Sequence, residues 1–329
     1  MNESGAYPPI GDYGLIGDMH TCALVSKAGS IDWCCLPRFD GRAVFGRLLD
    51  WGKGGCYALA PRGVTASNRR YLPDTNVLET TFETDGGRAV LTDFMPVSLS
   101  ARRRHSPAAR RQIVRILRCT SGSVEFALNC HPRFDYGSIV PHVSLYSPNF
   151  GLTHGGPDAI SVFSSVDMRE YDDGLVATGW LAEGQQVVSA VTFEPDQANF
   201  VTRQNEETLL KRLAETIEYW ESWASACTYK GAYREDVIRG ALTLKALTYV
   251  PTGALIASPT TSLPEVIGGV RNWDYRYTWI RDATFALYAL FIIGYTDEAH
   301  EFKRWMEWST MGRARDLQAM YGLAGERRL

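Results

Sequence analysis

Apolar and polar positions alternate every second residue up to about residue 200, a pattern typical of β-strands with one buried face. Residues 76–95 form two such runs on either side of an Asp-Gly-Gly turn, and residues 112–130 repeat this arrangement around Gly122. Shorter runs of the same kind lie at 22–26, 31–36, 55–60, 160–166, 174–180 and 186–193. Many short strands separated by turn signals predict a sandwich of antiparallel sheets.

The period changes to three and four residues beyond this region, which indicates helices. Apolar residues at this spacing predict an amphipathic helix over 206–226: Leu210, Leu213, Ile217, Trp220 and Ala224. Further helical patterns cover 232–249, 278–293 and 297–311. We therefore predict a multi-domain protein of β-then-α class, with an N-terminal antiparallel β-sandwich domain at 1–203, a linker helix at 204–229 and a helical domain at 230–329.

The composition is that of an ordinary globular protein, with 45% hydrophobic and 22% charged residues among 329. The formal net charge of −3 is too small to favour nucleic acid or a membrane surface as a partner. A basic stretch at 102–111 lacks interleaved aromatic residues, so we interpret it as a solvated loop. No run approaches the ~18 apolar residues of a membrane span and no secretory signal is visible, so we expect a cytoplasmic protein.

The cysteine and histidine positions favour neither a disulfide framework nor a metal site. The seven cysteines are odd in number and scattered, without a C-x-x-C pair, so we expect free and mostly buried thiols. His300 and Glu301 lie in a predicted helix, but no second histidine follows at helical spacing, and a solvated face is the simpler interpretation. We therefore expect no metal ion and no other cofactor.

The run GVRNWDYRYTWIRD at 269–282 carries the strongest chemical pattern in the chain. Four aromatic residues alternate with polar ones, and an Arg-Asp pair follows at the start of a predicted helix. In an extended segment the rings would lie on one side and the polar side chains Asp274, Arg276 and Thr278 on the other. Aromatic faces stack on the C–H faces of sugars, and carboxylate and guanidinium groups hydrogen-bond sugar hydroxyls. The pattern therefore indicates a sugar pocket.

The residues alone leave a second interpretation open. The aromatic rings could form a buried structural loop, and Arg281 and Asp282 could form only a local ion pair at a helix start, where an aspartate also favours the helix dipole.

The same run, SLPEVIGGVRNWDYRYTWIRDATFALYAL at 262–290, resembles the start of the catalytic domain of glycoside hydrolase family 15. Residues 11–50, 69–82, 92–96 and 241–265 also resemble the bacterial branch of that family, which includes glucoamylase-like and trehalase-like enzymes. The resemblance implies a β-sandwich followed by the first helices of an incomplete (α/α)6 barrel. It also implies part of an exo-acting, inverting α-glucoside hydrolase that releases glucose from α-glucans or trehalose.

The resemblance implies substrate-binding roles for Tyr275, Trp279, Arg281 and Asp282, which would line the subsite of the non-reducing glucose. Tyr275 and Trp279 would form its wall, while Arg281 and Asp282 would hydrogen-bond the hydroxyls farthest from the scissile bond. Both catalytic glutamates of the family would lie beyond Leu329, so we expect no catalytic residue in this chain and no glycosidase activity from it alone. The alternative is a non-catalytic sandwich and partial barrel that binds carbohydrate weakly or not at all.

Other residues invite weaker interpretations. Glu265, in a Thr/Ser/Pro-rich loop, does not occupy the family position of the acid or the base. The triplet Asp18-Met19-His20 could approach the pocket rim from a sandwich loop. An incomplete barrel would also leave apolar helix faces without partners, namely Trp279/Ala286/Leu290 and Phe302/Trp305/Met306, and we expect self-association through them.

Overall fold

The computed structural model describes residues 7–98, 111–194 and 204–329. Strands fill the chain up to residue 194, and helices with a few short strands follow, as the change of period predicts. The strands of the first part are β1 (Tyr13–Gly17), β2 (Cys22–Ser26), β3 (Ser30–Cys35), β4 (Ala43–Phe45), β5 (Cys56–Pro61), β6 (Val64–Tyr71), β7 (Leu78–Thr84), β8 (Gly87–Phe94), β9 (Gln112–His131), β10 (His142–Ser147), β11 (Phe150–Gly155), β12 (Asp158–Ser164), β13 (Arg169–Tyr171), β14 (Gly174–Ala182) and β15 (Gln186–Glu194). A single helical turn, α1 (Phe134–Gly137), lies between β9 and β10.

Strand β9 belongs to two antiparallel sheets at once. Its first half pairs with β8 and β15, in a sheet of order β6-β7-β8-β9-β15-β12-β11-β10. Its second half pairs with β5 and β14, in a sheet of order β1-β2-β3-β5-β9-β14-β13 with β4 beside β3. The predicted hairpin around Gly122 is therefore wrong. Gly122 has φ +71° inside one continuous strand, and the strand carries the chain from one sheet into the other.

The two sheets enclose a common apolar core. Side chains from both sheets meet there, among them Val25, Tyr57, Leu59, Leu78, Phe82, Leu117 and Val187. Two polar contacts also join the sheets: the Tyr57 hydroxyl donates to Ser189 Oγ at 2.6 Å, and Arg115 Nη1 donates to the Tyr57 carbonyl. Arg115 is paired with Asp93 at 2.7 Å, and both side chains are fully buried. A charged pair is thus buried between the two sheets.

The second part contains the helices α2 (Glu206–Ala224), α3 (Arg234–Ala246), α4 (Ile280–Ile292) and α5 (Thr296–Ser309). Two short strand pairs accompany them: β16 (Thr248–Tyr249) with β17 (Ala254–Leu255), and β18 (Thr278–Trp279) with β19 (Met320–Tyr321). All four predicted helices are present. Within the described ranges, no helix is long and apolar enough to cross a bilayer.

Helix α2 packs on the sandwich. Asn205 caps its start by accepting a hydrogen bond from the Thr208 amide at 2.8 Å. Leu209 is buried against Val77, Val114 and other side chains of the sheet that contains β8 and β15. The sequence predicts Leu210 on the buried face, but Leu210 is exposed and Leu209 is buried, because the apolar face of the helix is rotated by one residue at its start.

Helices α4 and α5 cover each other more completely than the sequence indicates. Leu290, Phe302 and Trp305 are buried, and Ala286 and Met306 are partly buried. The prediction that these faces lack partners is therefore wrong: Ala286, Phe302, Trp305 and Met306 share one cluster that Tyr321 and Leu323 complete, and Leu290 packs with side chains of α2 and α3. The exposed apolar side chains lie on another side of α4: Phe285, Tyr288, Phe291 and Ile292.

Two further expectations concern thiols and the basic stretch. All seven cysteines are free; six are buried and Cys227 is half-buried, as predicted. Residues 102–110 of the basic stretch lie outside the described residues.

Candidate active site

The aromatic run after residue 271 forms a segment that is hydrogen-bonded to two other parts of the chain. The Ser262, Ser258 and Ala257 amides donate to the carbonyls of Trp273, Tyr275 and Tyr277, at 3.1, 2.8 and 3.1 Å. Thr278 and Trp279 then form β18 and pair with β19, and helix α4 begins at the next residue. The segment is therefore held by hydrogen bonds to the 257–262 loop, and only its last two residues form a strand before the helix start.

The predicted alternation is present, and the polar side of the segment faces the protein. Arg276 is 4% exposed and Thr278 is fully buried, whereas Trp273 is 51% exposed. Tyr275, Tyr277 and Trp279 are half-buried. Because the segment turns its polar side inward, the aromatic rings remain on the outer side.

Arg276 is held by protein groups rather than offered to a ligand. Its guanidinium binds the Asp274 carboxylate through Nη2 at 2.7 Å and Nε at 3.0 Å, and its Nη1 donates to the Gly41 carbonyl at 2.7 Å. Burial lowers the pKa of Arg276, but the hydrogen bonds to Asp274 outweigh it and raise the pKa above its ordinary value. Arg276 is therefore a charged structural group.

Tyr275 and Trp279 lie side by side and form what we call the aromatic wall. Their ring centroids are 6.1 Å apart, with planes inclined by 35°. The Tyr275 hydroxyl donates to Glu265 Oε1 at 3.0 Å, and this hydrogen bond raises the pKa of Tyr275. The indole nitrogen of Trp279 is buried and has no hydrogen-bond partner within the part of the chain that the structure describes.

Arg281 and Asp282 occupy the first turn of α4, directly after the wall. Arg281 Nη2 lies 3.1 Å from Asp282 Oδ2, and the two side chains are 71% and 40% exposed. The local ion pair of the alternative interpretation is thus present, but it is open to solvent. An exposed pair of this kind contributes only about 0–1 kcal/mol to stability, so the fold does not need it. The structure brings all four predicted sugar-binding residues to one end of α4.

The two remaining sequence candidates have structural partners. Glu265 accepts from Tyr275 and lies 3.7 Å from Arg271 Nη1. Asp18, Met19 and His20 form a buried turn, in which Asp18 Oδ1 accepts from the His20 and Thr21 amides at 2.9 Å each. Among the residues placed by the structure, no group of three His, Cys, Asp or Glu side chains is arranged to hold a metal ion.

Sequence reasoning missed the residues that hold the segment in place. Gly41, Cys35 and Tyr136 surround Arg276, and Trp33 reaches the loop that pairs with the aromatic segment. They belong to the sandwich, and Gly41 lies 235 positions from Arg276. No local pattern could have linked them.

Comparison with known proteins identifies the group to which this architecture belongs. Residues 4–178 match the family described as trehalase-like, N-terminal, and residues 231–329 match glycosyl hydrolases family 15. The chain belongs to the trehalase-like, N-terminal family, whose model matches more than half of it, and its last 99 residues match glycosyl hydrolases family 15.

Several relatives of this chain are named trehalases. The trehalase of Mycolicibacterium smegmatis is 38% identical over 98% of this chain and 51% of its own length. The trehalase of Thermoplasma volcanium is 37% identical over 90% of this chain and 46% of its own length. The chain thus spans about half the length of the curated relatives it matches. A putative kojibiose phosphorylase from human microbiome, a solved structure, matches with a TM-score of 0.44 and 7% identity over 91% of this chain and 50% of that one.

Proposed function

We propose that this chain supplies the sandwich and the glucose-binding end of an exo-acting, inverting α-glucoside hydrolase, with trehalose as its substrate. The main support for the proposal is the aromatic wall, which directly precedes the solvent-exposed side chains of Arg281 and Asp282 at the start of α4. The match of residues 231–329 to glycosyl hydrolases family 15 supports a glucoside substrate. The relatives named trehalases favour trehalose over an α-glucan.

The wall and the ion pair are chemically complementary to a terminal glucose. The Trp279 and Tyr275 rings offer apolar surface to the C–H faces of the sugar. The Arg281 guanidinium donates to hydroxyl oxygens, and the Asp282 carboxylate accepts from hydroxyl hydrogens. In this proposal the two polar groups bind the hydroxyls farthest from the scissile bond. They would close one end of the pocket, which restricts the enzyme to terminal glucose units.

Inversion of the anomeric centre requires a carboxylic acid and a carboxylate ~6.5–9.5 Å apart, one to protonate the leaving oxygen and one to activate water. We propose that both glutamates lie outside this chain. In this proposal the described residues bind and orient the glucose, and they exclude water from the stacked face of the sugar.

Asp282→Asn provides the direct test of the pocket. We expect it to weaken glucose or trehalose binding about ten- to a hundredfold, because a charge-assisted hydrogen bond to a hydroxyl contributes roughly 1.5–3 kcal/mol. The melting temperature should hardly change, since the carboxylate is exposed in the free chain. Ligand-observed NMR titration beside thermal unfolding would measure both quantities.

A matched control exists in the same half of the chain. Arg315 and Asp316 form another adjacent ion pair, 3.9 Å apart and 72% and 49% exposed, so Asp316→Asn should leave both readouts unchanged. If Asp282→Asn lowered the melting temperature by several degrees and left sugar binding intact, the ion-pair interpretation would be right and the pocket wrong.

We also propose that the chain self-associates through the exposed face of α4. Phe285, Tyr288, Phe291 and Ile292 form an apolar surface at consecutive helical turns, and such surfaces tend to mediate association. Light scattering after size exclusion should show an apparent mass that rises with concentration, and Phe285→Ser combined with Phe291→Ser should restore the monomer. Tyr146→Ser, at an exposed ring of β10, is the control. A chain that stays monomeric at every concentration would contradict the proposal.

A further inference from the structure

We propose that the sandwich positions the aromatic wall, and that Arg276 is the positioning residue. Its guanidinium joins the segment that carries the wall to the end of β3 and the loop after it. The inference rests on the proposed function, because it assigns the sandwich a role at the same sugar pocket.

The guanidinium of Arg276 inserts among three sandwich groups. Nη1 donates to the Gly41 carbonyl at 2.7 Å and lies 3.4 Å from Cys35 Sγ, while the guanidinium carbon is 5.6 Å from the centre of the Tyr136 ring. Burial raises the pKa of the Cys35 thiol to about 11, so the sulfur is neutral. The Tyr136 hydroxyl also donates to the Gly41 carbonyl, at 3.4 Å. One carbonyl of the sandwich loop is therefore shared by the segment and by α1.

Asp274 fixes the orientation of the Arg276 guanidinium. It binds Nε and Nη2 of Arg276 as a fork, and its Oδ1 also accepts from the Arg276 amide at 3.0 Å. The carboxylate neutralises the charge and fixes the plane of the guanidinium, which leaves Nη1 aimed at the sandwich. A lysine has neither the planar fork nor this preset direction, so it cannot reproduce the arrangement.

A second link to the same strand fixes the other side of the segment. The indole nitrogen of Trp33, a buried residue of β3, donates to the Pro259 carbonyl at 2.7 Å. Pro259 lies between Ser258 and Ser262, whose amides bind the carbonyls of Tyr275 and Trp273. Strand β3 thus holds the aromatic segment through Arg276 and holds its pairing partner through Trp33.

Both residues of the aromatic wall lie within three positions of Arg276, so this restraint acts directly on the wall. Tyr275 directly precedes Arg276 and Trp279 lies three residues after it; both are half-buried, whereas Arg276 is buried. A movement of Arg276 therefore moves the wall with it. Sugar stacking and hydrogen bonding depend on placement within about 1 Å, so the order of the pocket depends on the sandwich contact.

Arg276→Met tests the inference in the whole chain with two readouts, amide hydrogen exchange and glucose binding. Loss of the fork should raise exchange at the Ala257, Ser258 and Ser262 amides about tenfold or more and weaken glucose binding about tenfold, while β9 keeps its protection. Arg276→Lys keeps the positive charge but should not restore the protection of these three amides, because it lacks the planar fork. The control is Arg70→Met, which removes an exposed arginine that binds Glu79 at 2.8 Å on the sandwich surface; it should change neither readout.

Gly41→Ala perturbs the same contact from the sandwich side. A Cβ at this position would lie 2.8 Å from the Leu36 carbonyl oxygen, so the loop must shift and carry the Gly41 carbonyl with it. We expect the same three amides to lose protection, to a smaller extent than in Arg276→Met.

The outcomes separate this inference from the proposed function. Unchanged exchange in both variants, or an equal rise in β9, would overturn the positioning role. Glucose binding that is equal in Arg276→Met and the unsubstituted chain would also overturn it and leave the proposed function standing. If the three amides lose protection in Arg276→Met while the unsubstituted chain binds no glucose, Arg276 does hold the segment in place but the proposed function is wrong.

Discussion

The 329-residue chain is expected to release no glucose from trehalose, maltose or soluble starch above the uncatalysed background. Inverting hydrolysis needs a proton donor and a base on opposite sides of the sugar. The carboxylates beside the aromatic wall are each engaged with a neighbour: Asp274 with Arg276, Glu265 with Tyr275, and Asp282 with Arg281. None of these arrangements supplies an opposed acid and base.

A glucose-release assay with the full-length Mycolicibacterium smegmatis relative as a positive control would measure this. Binding alone leaves only residual catalysis when acid and base are both missing. Turnover comparable to the control would contradict the prediction. Glu265→Gln would then show whether the carboxylate next to the wall is responsible for the activity.

Arg115→Met is expected to destabilise the sandwich by about 3–5 kcal/mol, the cost of leaving one buried charge without its partner. Asp93 is fully buried, and two nitrogens of Arg115 bind its oxygens at 2.7 and 3.1 Å. The substitution also removes the donor to the Tyr57 carbonyl, which joins the two sheets. The shift in the urea midpoint, followed by circular dichroism, gives the free-energy difference.

Two variants distinguish an unpaired charge from a lost packing contact. Asp93→Leu combined with Arg115→Met removes both charges and should recover much of the lost stability, since apolar replacements of a buried pair are often tolerated. Arg70→Met breaks an exposed pair with Glu79 and should cost only about 0–1 kcal/mol. If the double variant were as unstable as Arg115→Met, packing rather than charge would account for the loss.

The elements themselves could be predicted because their patterns are local. Strands β7 and β8 follow an alternation that brackets an obvious turn, and helices α2 to α5 follow spacings of three and four residues. The strand around Gly122 could not be predicted, because a glycine at positive φ suits both a hairpin turn and a bend within one strand. Only the pairing of its two halves with different partners distinguishes these, and pairing partners lie far away in sequence.

The candidate site likewise has features that follow from local sequence and features that depend on distant residues. The sequence by itself determined that aromatic and polar side chains separate onto two sides of the 273–279 segment, since a strand places successive residues on opposite sides. It also placed Arg281 and Asp282 at a helix start. Only the tertiary structure decided that the polar side faces the sandwich, because the groups that satisfy Arg276 come from Gly41 and Cys35. A buried guanidinium needs partners on every side, and these partners are brought together only when the sandwich and the helical part pack against each other.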